Sequence, residues 1–296
     1  MSHKIRFSLL AVARVSRPLQ WIKNLLCFAG IIFSGKFNIV YFKSATWTFV
    51  IFTALSSAVY ILNDIIDVER DRAHPQKRRR PVASGELSIS LAGISGVLLA
   101  LTGVVLAYYL STSVLICALT FLGLNALYCS YLKHAPIIDV LCIAIGFVVR
   151  LIAGVLAVEE FPTTWIALCL FFLALFIGFS KRRGELSTLL AAKIEQRPVL
   201  VNYTVDYLDF LISSSATATI ITYALFASAS GKNPTLVVTI PIVFYAVMHY
   251  KRTVMIGNVG TEPESALITD WRLVLSVLIW FIAFMVIWLG KINLFR

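Results

Sequence analysis

Charge is scarce in this 296-residue chain. Asp, Glu, Lys and Arg together make up 14% of it, with 15 acidic residues and four histidines. Soluble globular proteins carry about 25% charged residues, so an ordinary water-soluble enzyme is excluded. Several signatures of soluble catalysis are missing as well. There is no Gly-x-x-x-x-Gly-Lys-Ser/Thr, no Gly-x-Gly-x-x-Gly, no His-Glu-x-x-His and no Gly-x-Ser-x-Gly. The five cysteines (Cys27, Cys117, Cys129, Cys142 and Cys169) lie in apolar stretches without a Cys-x-x-Cys pair. They read as reduced packing residues, not disulfides or zinc ligands. Long alternating polar–apolar ten-mers, which a membrane β-barrel needs, are absent. The basic N-terminus shows no cleavable signal-peptide pattern.

What the chain has instead is apolar length: 59% of its residues are hydrophobic. Runs able to cross ~30 Å of hydrocarbon fall near 21–36, 45–62, 91–110, 113–132, 137–158, 163–180, 208–230, 235–250 and 272–290. The pattern predicts an all-α, polytopic membrane helical bundle of nine transmembrane helices, built as a single integral-membrane domain over 1–296. The excess of base over acid, a formal +11, invites a nucleic-acid partner. In so apolar a chain the cations are better explained by membrane topology. With nine spans, 20 Lys and Arg fall on the N-terminal side and five on the other, with Arg150 inside a span. Cytoplasmic loops collect Lys and Arg, so the N-terminus is predicted cytoplasmic, in a multi-pass protein of the plasma (inner) membrane. Thirteen of the 15 carboxylates crowd the same side, which the charge rule does not require. That mixture predicts a polar site facing the cytoplasm.

Five segments supply it. At the end of the second run, Asn63, Asp64, Asp67 and Asp71 follow helical spacing, so they share one stripe with neighbours ~5–6 Å apart. Three carboxylates at a membrane face need a cation. Oxygen-only ligands suit Mg²⁺, which takes a few carboxylates and completes its shell with water and substrate phosphate. Next comes His74-Pro75-Gln76-Lys77-Arg78-Arg79-Arg80-Pro81, a stiff cationic loop. Lys77, Arg78 and Arg80 are candidates for substrate phosphate, which Arg binds bidentately; anionic lipid anchoring is the alternative.

The fourth run closes on Tyr128, Lys133 and His134, followed by Asp139 and an intramembrane Arg150 that demands a polar cavity or a partner. The sixth closes on Ser180-Lys181-Arg182-Arg183-Gly184-Glu185, and Tyr203, Asp206 and Asp209 add polar groups beyond it. Near the N-terminus, Arg17-Pro18-Leu19-Gln20-Trp21-Ile22-Lys23-Asn24 enters the membrane at an aromatic anchor. Lys23 and Asn24 are there within reach of the same polar region.

Taken together, these residues resemble the UbiA superfamily of intramembrane transferases, through Asn63-Asp64-x-x-Asp67-x-x-x-Asp71 and the nine runs. Within it they are similar to the decaprenyl-phosphate phosphoribosyltransferase branch. The similarity rests on Arg17-Pro18-x-Gln20-Trp21-x-Lys23-Asn24 and on Asp67-x-Glu69-x-Asp71-Arg72-x-His74-Pro75-x-Lys77-x-x-Arg80-Pro81. It also rests on Tyr128-x-x-x-Leu132-Lys133, on Ser180-Lys181-Arg182-Arg183-x-Glu185-Leu186 and on Thr269-Asp270. It runs over essentially the whole chain.

The resemblance implies transfer of 5-phosphoribose from phosphoribosyl pyrophosphate to polyprenyl phosphate, with release of pyrophosphate and dependence on Mg²⁺. The protein would act alone or as a homo-oligomer. Asn63, Asp64, Asp67 and Asp71 would hold the metal, with Asp67, Asp71 and Lys133 as the catalytic set. Lys23, Asn24, Lys77, Arg78, Arg80, Tyr128, His134, Arg150, Lys181, Arg182 and Glu185 would contact substrate. Prenyltransferases of the superfamily carry a second Asp-rich motif after the sixth span; here Lys181, Arg182 and Arg183 stand there with only Glu185. Extra positive charge suits two phosphorylated substrates better than a neutral aromatic acceptor. Prenyl transfer to an aromatic acceptor is the runner-up. Transport of a phosphorylated solute is disfavoured, because no comparable polar set lies on the opposite side.

Overall fold

In a computed structural model the described residues are 10–192, 198–229, 233–256, 270–290, 292 and 294. Thr269 lies outside them, as do Lys4, Arg6, Lys193, Arg197, Lys232, Lys291 and Arg296 among the cations counted for topology. The described chain is helical, without strands. Its helices are α1 (Ala29–Ser34), α2 (Ile39–Ile66), α3 (Val68–Ala73), α4 (Ile89–Leu110) and α5 (Thr112–Ser130), then α6 (Ile138–Leu156), α7 (Thr164–Ala192), α8 (Val205–Ala229), α9 (Ile240–Ile256) and α10 (Trp271–Leu289). Eight stretches among the described residues are long and apolar enough to cross a membrane.

Four of the helices start where a side chain satisfies backbone N–H groups that have no intrahelical partner. Asn38 Oδ1 accepts from Val40 and Tyr41 at 3.0 Å each, starting α2. Ser88 caps α4 and Ser111 caps α5, and Asp270 Oδ1 accepts from Arg272 and Leu273 to start α10. Leu98, Leu101 and Val105 on α4, and Leu278, Ile279 and Ile282 on α10, remain exposed. Apolar surface on this scale suits lipid, not water. All five cysteines are free and buried, as the sequence predicts.

Three expectations change in detail. The run expected at 21–36 is not one α-helix: Pro18–Phe28 winds as a 3₁₀ helix and only Ala29–Ser34 is α. The reason lies at Gly154 of α6, where an added Cβ would overlap the Cys27 carbonyl; one on Gly30 would likewise overlap Gly154. The segment crosses α6 backbone against backbone, and the tighter 3₁₀ winding keeps it narrow there. Second, the sixth run does not stop at 180. At 29 residues, α7 is about 43 Å long, so Ser180–Glu185 is helical. Third, the acidic stripe bends: Asp67 (φ −92°, ψ 10°) separates α2 from α3.

Contacts divide the chain into two compact units, Met1–Leu132 with Val149–Phe161, and Lys133–Val148 with Pro162–Arg296. The first has a core of Ile51, Phe52, Leu55, Val114 and Phe121, with Phe52 edge-on to Phe121. The second is built on Phe176, Phe179, Leu200, Leu208, Ile212 and Tyr250, where Gly178 lets Val140 close in.

Candidate functional site

In the first unit, the α2–α3 bend gathers acid and base. The helical hydrogen bonds run through it, Asp67 N to Asn63 O at 3.0 Å and Asp71 N to Asp67 O at 2.8 Å. Asn63, Asp67 and Asp71 therefore keep helical spacing despite the break. Asp64 and Asp71 are buried, and Asn63 and Asp67 half-buried. Arg80 Nη1 donates to Asp64 Oδ1 at 3.1 Å and to Asp71 Oδ2 at 2.6 Å. Arg17 reaches Asp64 Oδ1 as well, from a left-handed backbone position (φ 52°), with its guanidinium over the Tyr60 ring. A left-handed non-Gly residue costs roughly 1–2 kcal/mol, which the Asp64 contact offsets.

Arg80 is delivered by the loop after α3. His74 Nδ1 accepts from the Gln76 and Lys77 backbone N–H groups at 3.2 and 3.3 Å. The turn continues as a short 3₁₀ helix, Lys77–Arg79. Partial burial and the Lys77 cation hold the His74 imidazole below its usual range, with Asp71 opposing them. Lys77 is half-buried, whereas Arg78 and Arg79 are exposed.

These residues can be tested against a magnesium ion. One guanidinium nitrogen already bridges Asp64 and Asp71, so their oxygens lie within two hydrogen-bond lengths of each other and converge on a positive charge. Among the described residues no three His, Cys, Asp or Glu side chains are grouped closely enough to form a metal site alone. The donor set fits a hard cation held by two carboxylates, with substrate and water oxygens supplying the remainder.

Deeper in the same unit, Arg150 on α6 donates from Nε to Asn24 Oδ1 at 2.8 Å. Asn24 Nδ2 donates to Thr53 and Ser56 hydroxyls on α2, both at 3.2 Å. The guanidinium lies 4.6 Å from the Phe121 ring centroid. The polar environment expected for Arg150 thus includes a buried amide and an aromatic face. Lys23 and Tyr128 are half-buried in this unit.

The second unit has its own network. Asp139, Arg182 and Tyr203 are buried. Arg182 donates from Nε to Asp139 Oδ2 at 2.7 Å and from Nη1 to Glu185 Oε2 at 2.8 Å. Tyr203 donates its hydroxyl to Asp139 Oδ1 at 3.3 Å and accepts the Ile137 backbone N–H at 2.5 Å. Burial pushes the Tyr203 hydroxyl up to about 12, so it keeps its proton. Arg183 pairs with Asp209 at 2.5 Å and reaches the Val254 carbonyl at 3.1 Å. Lys133 is buried, Lys181 half-buried and His134 exposed.

The structure therefore joins Asp64, Asp71 and Arg80, joins Asn24 and Arg150, and joins Arg182 and Glu185. The sequence places Asp139, Tyr203 and Asp209 beside the site segments without a role, and Arg17 only within the N-terminal motif. Arg17 stands in the quoted N-terminal motif, and its contact with Asp64 is the added information.

With this geometry in view, the class of protein is defined by comparison. Residues 24–258 match the UbiA prenyltransferase family, and the chain belongs to that family. Its relatives narrow the likeness. It is 33% identical to the decaprenyl-phosphate phosphoribosyltransferase of Mycolicibacterium smegmatis, over 89% of this chain and 88% of that protein. It is 32% identical to the decaprenyl-phosphate phosphoribosyltransferase of Mycobacterium tuberculosis, over 91% of each chain. Among solved structures, a UbiA homolog from Archaeoglobus fulgidus bound to GPP and Mg²⁺ superposes with a TM-score of 0.73 at 18% identity. That match covers 93% of this chain and 99% of the other. The fold is the UbiA fold.

Proposed function

We propose that this protein is a polyprenyl-phosphate phosphoribosyltransferase. It moves 5-phosphoribose from phosphoribosyl pyrophosphate to the phosphate of a polyprenyl lipid such as decaprenyl phosphate, and releases pyrophosphate. The near full-length likeness to curated decaprenyl-phosphate phosphoribosyltransferases carries this reading. The surplus of cations over carboxylates at the polar segments supports it, because donor, acceptor and product are all anions.

In this reading Asp67 and Asp71, with Asn63 and Asp64, would hold Mg²⁺. When bound, the metal neutralises charge developing on the departing pyrophosphate. The remaining work belongs to the chain. Lys77, Arg78 and Arg80 bind donor phosphates, and Arg80 does so from a position already fixed by two carboxylates. Lys181 and Arg182 add positive charge for the same groups, with Glu185 and Asp139 holding Arg182 in place. Lys23, Lys133 and Arg150 take the acceptor phosphate, with Asn24 orienting Arg150 and Tyr128 and His134 lining the substrate. The bond from ribose C1 to pyrophosphate breaks as the lipid phosphate oxygen bonds to C1 from the opposite face. A phosphate monoester is anionic near neutral pH, so no general base is required.

We assign nine membrane crossings, a cytoplasmic N-terminus and a cytoplasm-facing site in the plasma membrane, within one transferase domain. The ninth crossing is the segment 18–34. Its eleven 3₁₀ and six α residues would reach about 31 Å if collinear, enough for ~30 Å of hydrocarbon. Purified protein incubated with Mg²⁺, labelled phosphoribosyl pyrophosphate and polyprenyl phosphate tests the reaction. Label is expected in the lipid phase. No transfer, with prenylation of hydroxybenzoate from a polyprenyl diphosphate instead, would sink the proposal in favour of prenyl transfer.

A further inference from the structure

Ile137 occupies the left-handed region at φ 69°. That is a poor position for a β-branched side chain, and such strain persists only where surrounding structure enforces it. Here the enforcement is visible. The Ile137 N–H is held by the Tyr203 hydroxyl at 2.5 Å, and that hydroxyl is anchored on Asp139, itself held by Arg182. The three side chains of this relay are buried, Asp139 completely. Ile137 turns the chain into α6: the Asp139 N–H returns to Ala135 O at 3.1 Å and the Ile138 N–H to Pro136 O at 2.8 Å. Between Ile137 and the buried Lys133 stand only His134, Ala135 and Pro136. Proline fixes one further torsion, so few free torsions separate the Ile137 backbone from Lys133.

We propose that Tyr203 is a positioning residue for the transfer reaction, latching Ile137 in its left-handed conformation and thereby placing Lys133 for an anionic substrate. The inference rests on the assignment of Lys133 to the acceptor phosphate. Asp139 and Arg182 act through Tyr203, and the proton of the hydroxyl points at Asp139 because the oxygen's other contact is with a donor.

The test uses the full-length protein in lipid nanodiscs, with Y203F, I137G, the double variant and K133A. Y203F is expected to raise KM for polyprenyl phosphate about tenfold with little change in kcat, the mark of lost binding rather than lost chemistry. Glycine adopts positive φ without strain, so I137G no longer needs the latch. The double variant is expected to return KM most of the way to wild type. Hydrogen exchange provides a readout independent of catalysis: Y203F should speed exchange at the Ile137 amide while leaving α8 unchanged. Wild-type exchange at Ile137 in Y203F would overturn the latch itself. A double variant as impaired as Y203F, with α8 still protected, would overturn its control of the site. K133A with a wild-type KM, in protein whose Ile137 exchange still responds to Y203F, would overturn the Lys133 assignment alone.

Discussion

Arg150 and Asn24 meet at 2.8 Å, a membrane-helix guanidinium donating to a side-chain amide oxygen, both withdrawn from solvent. The Asn24 amide and the Phe121 ring are among the groups that meet this buried cation. Removing the amide takes one acceptor from a buried charged donor, a loss of about 1–3 kcal/mol. N24A is therefore expected to lower the thermal midpoint of purified protein by several degrees. N24D, which keeps an acceptor, should unfold closer to wild type. An N24A midpoint equal to wild type would show that the contact contributes nothing.

The crossing of the 3₁₀ segment with α6 makes a sharper stability prediction. A Cβ at Gly154 would overlap the Cys27 backbone, which cannot rotate away like a side chain, whereas a Cβ at Gly123 meets nothing within 4 Å. Overpacking of this kind costs about 1–3 kcal/mol or more. A mid-helix Gly→Ala change in open space gains roughly 0.5–1 kcal/mol. G154A should give poorly folded protein and G123A slightly stabilised protein, read by size-exclusion profile and thermal midpoint. Equal behaviour of the two would mean that the segment and α6 are not in backbone contact.

The contrast between local and distant contacts explains what could be read from the string. The apolar runs of α4, α5, α6 and α10 announce their lengths, because crossing a membrane needs an unbroken apolar stretch and nothing from elsewhere. The end of α7 does not announce itself. Lys181-Arg182-Arg183 looks like a loop, yet it stays helical because Asp139 and Asp209 come from other elements to meet it. Arg17 and Asp64 are 47 positions apart, so no local pattern pairs them. The 3₁₀ winding of Pro18–Phe28 depends likewise on how closely Gly154 lets it approach. In the site, residue types and helical spacing were legible; which arginine serves which carboxylate was not.

Arg80 sits between two carboxylates, which makes its replacement informative beside theirs. D67N is expected to lower Mg²⁺-dependent transfer by at least about 100-fold, with a rightward shift in the magnesium titration. R80K keeps the charge, and one ammonium nitrogen can bridge Asp64 and Asp71 as Nη1 does, but it loses the planar fork that a phosphate would engage. It should weaken phosphoribosyl pyrophosphate binding while leaving the magnesium midpoint nearly unchanged. Near-normal magnesium dependence in D67N would end the metal assignment. A magnesium shift in R80K as large as in D67N would show that the arginine and the metal are not separable.

His74 makes the loop that delivers Arg80 sensitive to acid. Its Nδ1 accepts two backbone hydrogen bonds, which only the unprotonated nitrogen can do. Its pKa in the folded protein lies below the unfolded value, roughly 6.5 for a free imidazole. The unfolded chain thus takes up the proton first, and stability rises with pH across the window between the two values. The contribution of the turn is complete above about 6.5 and is lost as pH falls through the folded-state value. Acidification from pH 7.5 to 5.5 should therefore loosen the Gln76 and Lys77 amides and raise KM for phosphoribosyl pyrophosphate, after correction for the substrate's own ionisation. H74N, whose amide oxygen accepts the same bonds and does not titrate, should keep those amides protected across that range. Acid-induced exchange at Gln76 and Lys77 that is as large in H74N as in wild type would assign the sensitivity to some other group.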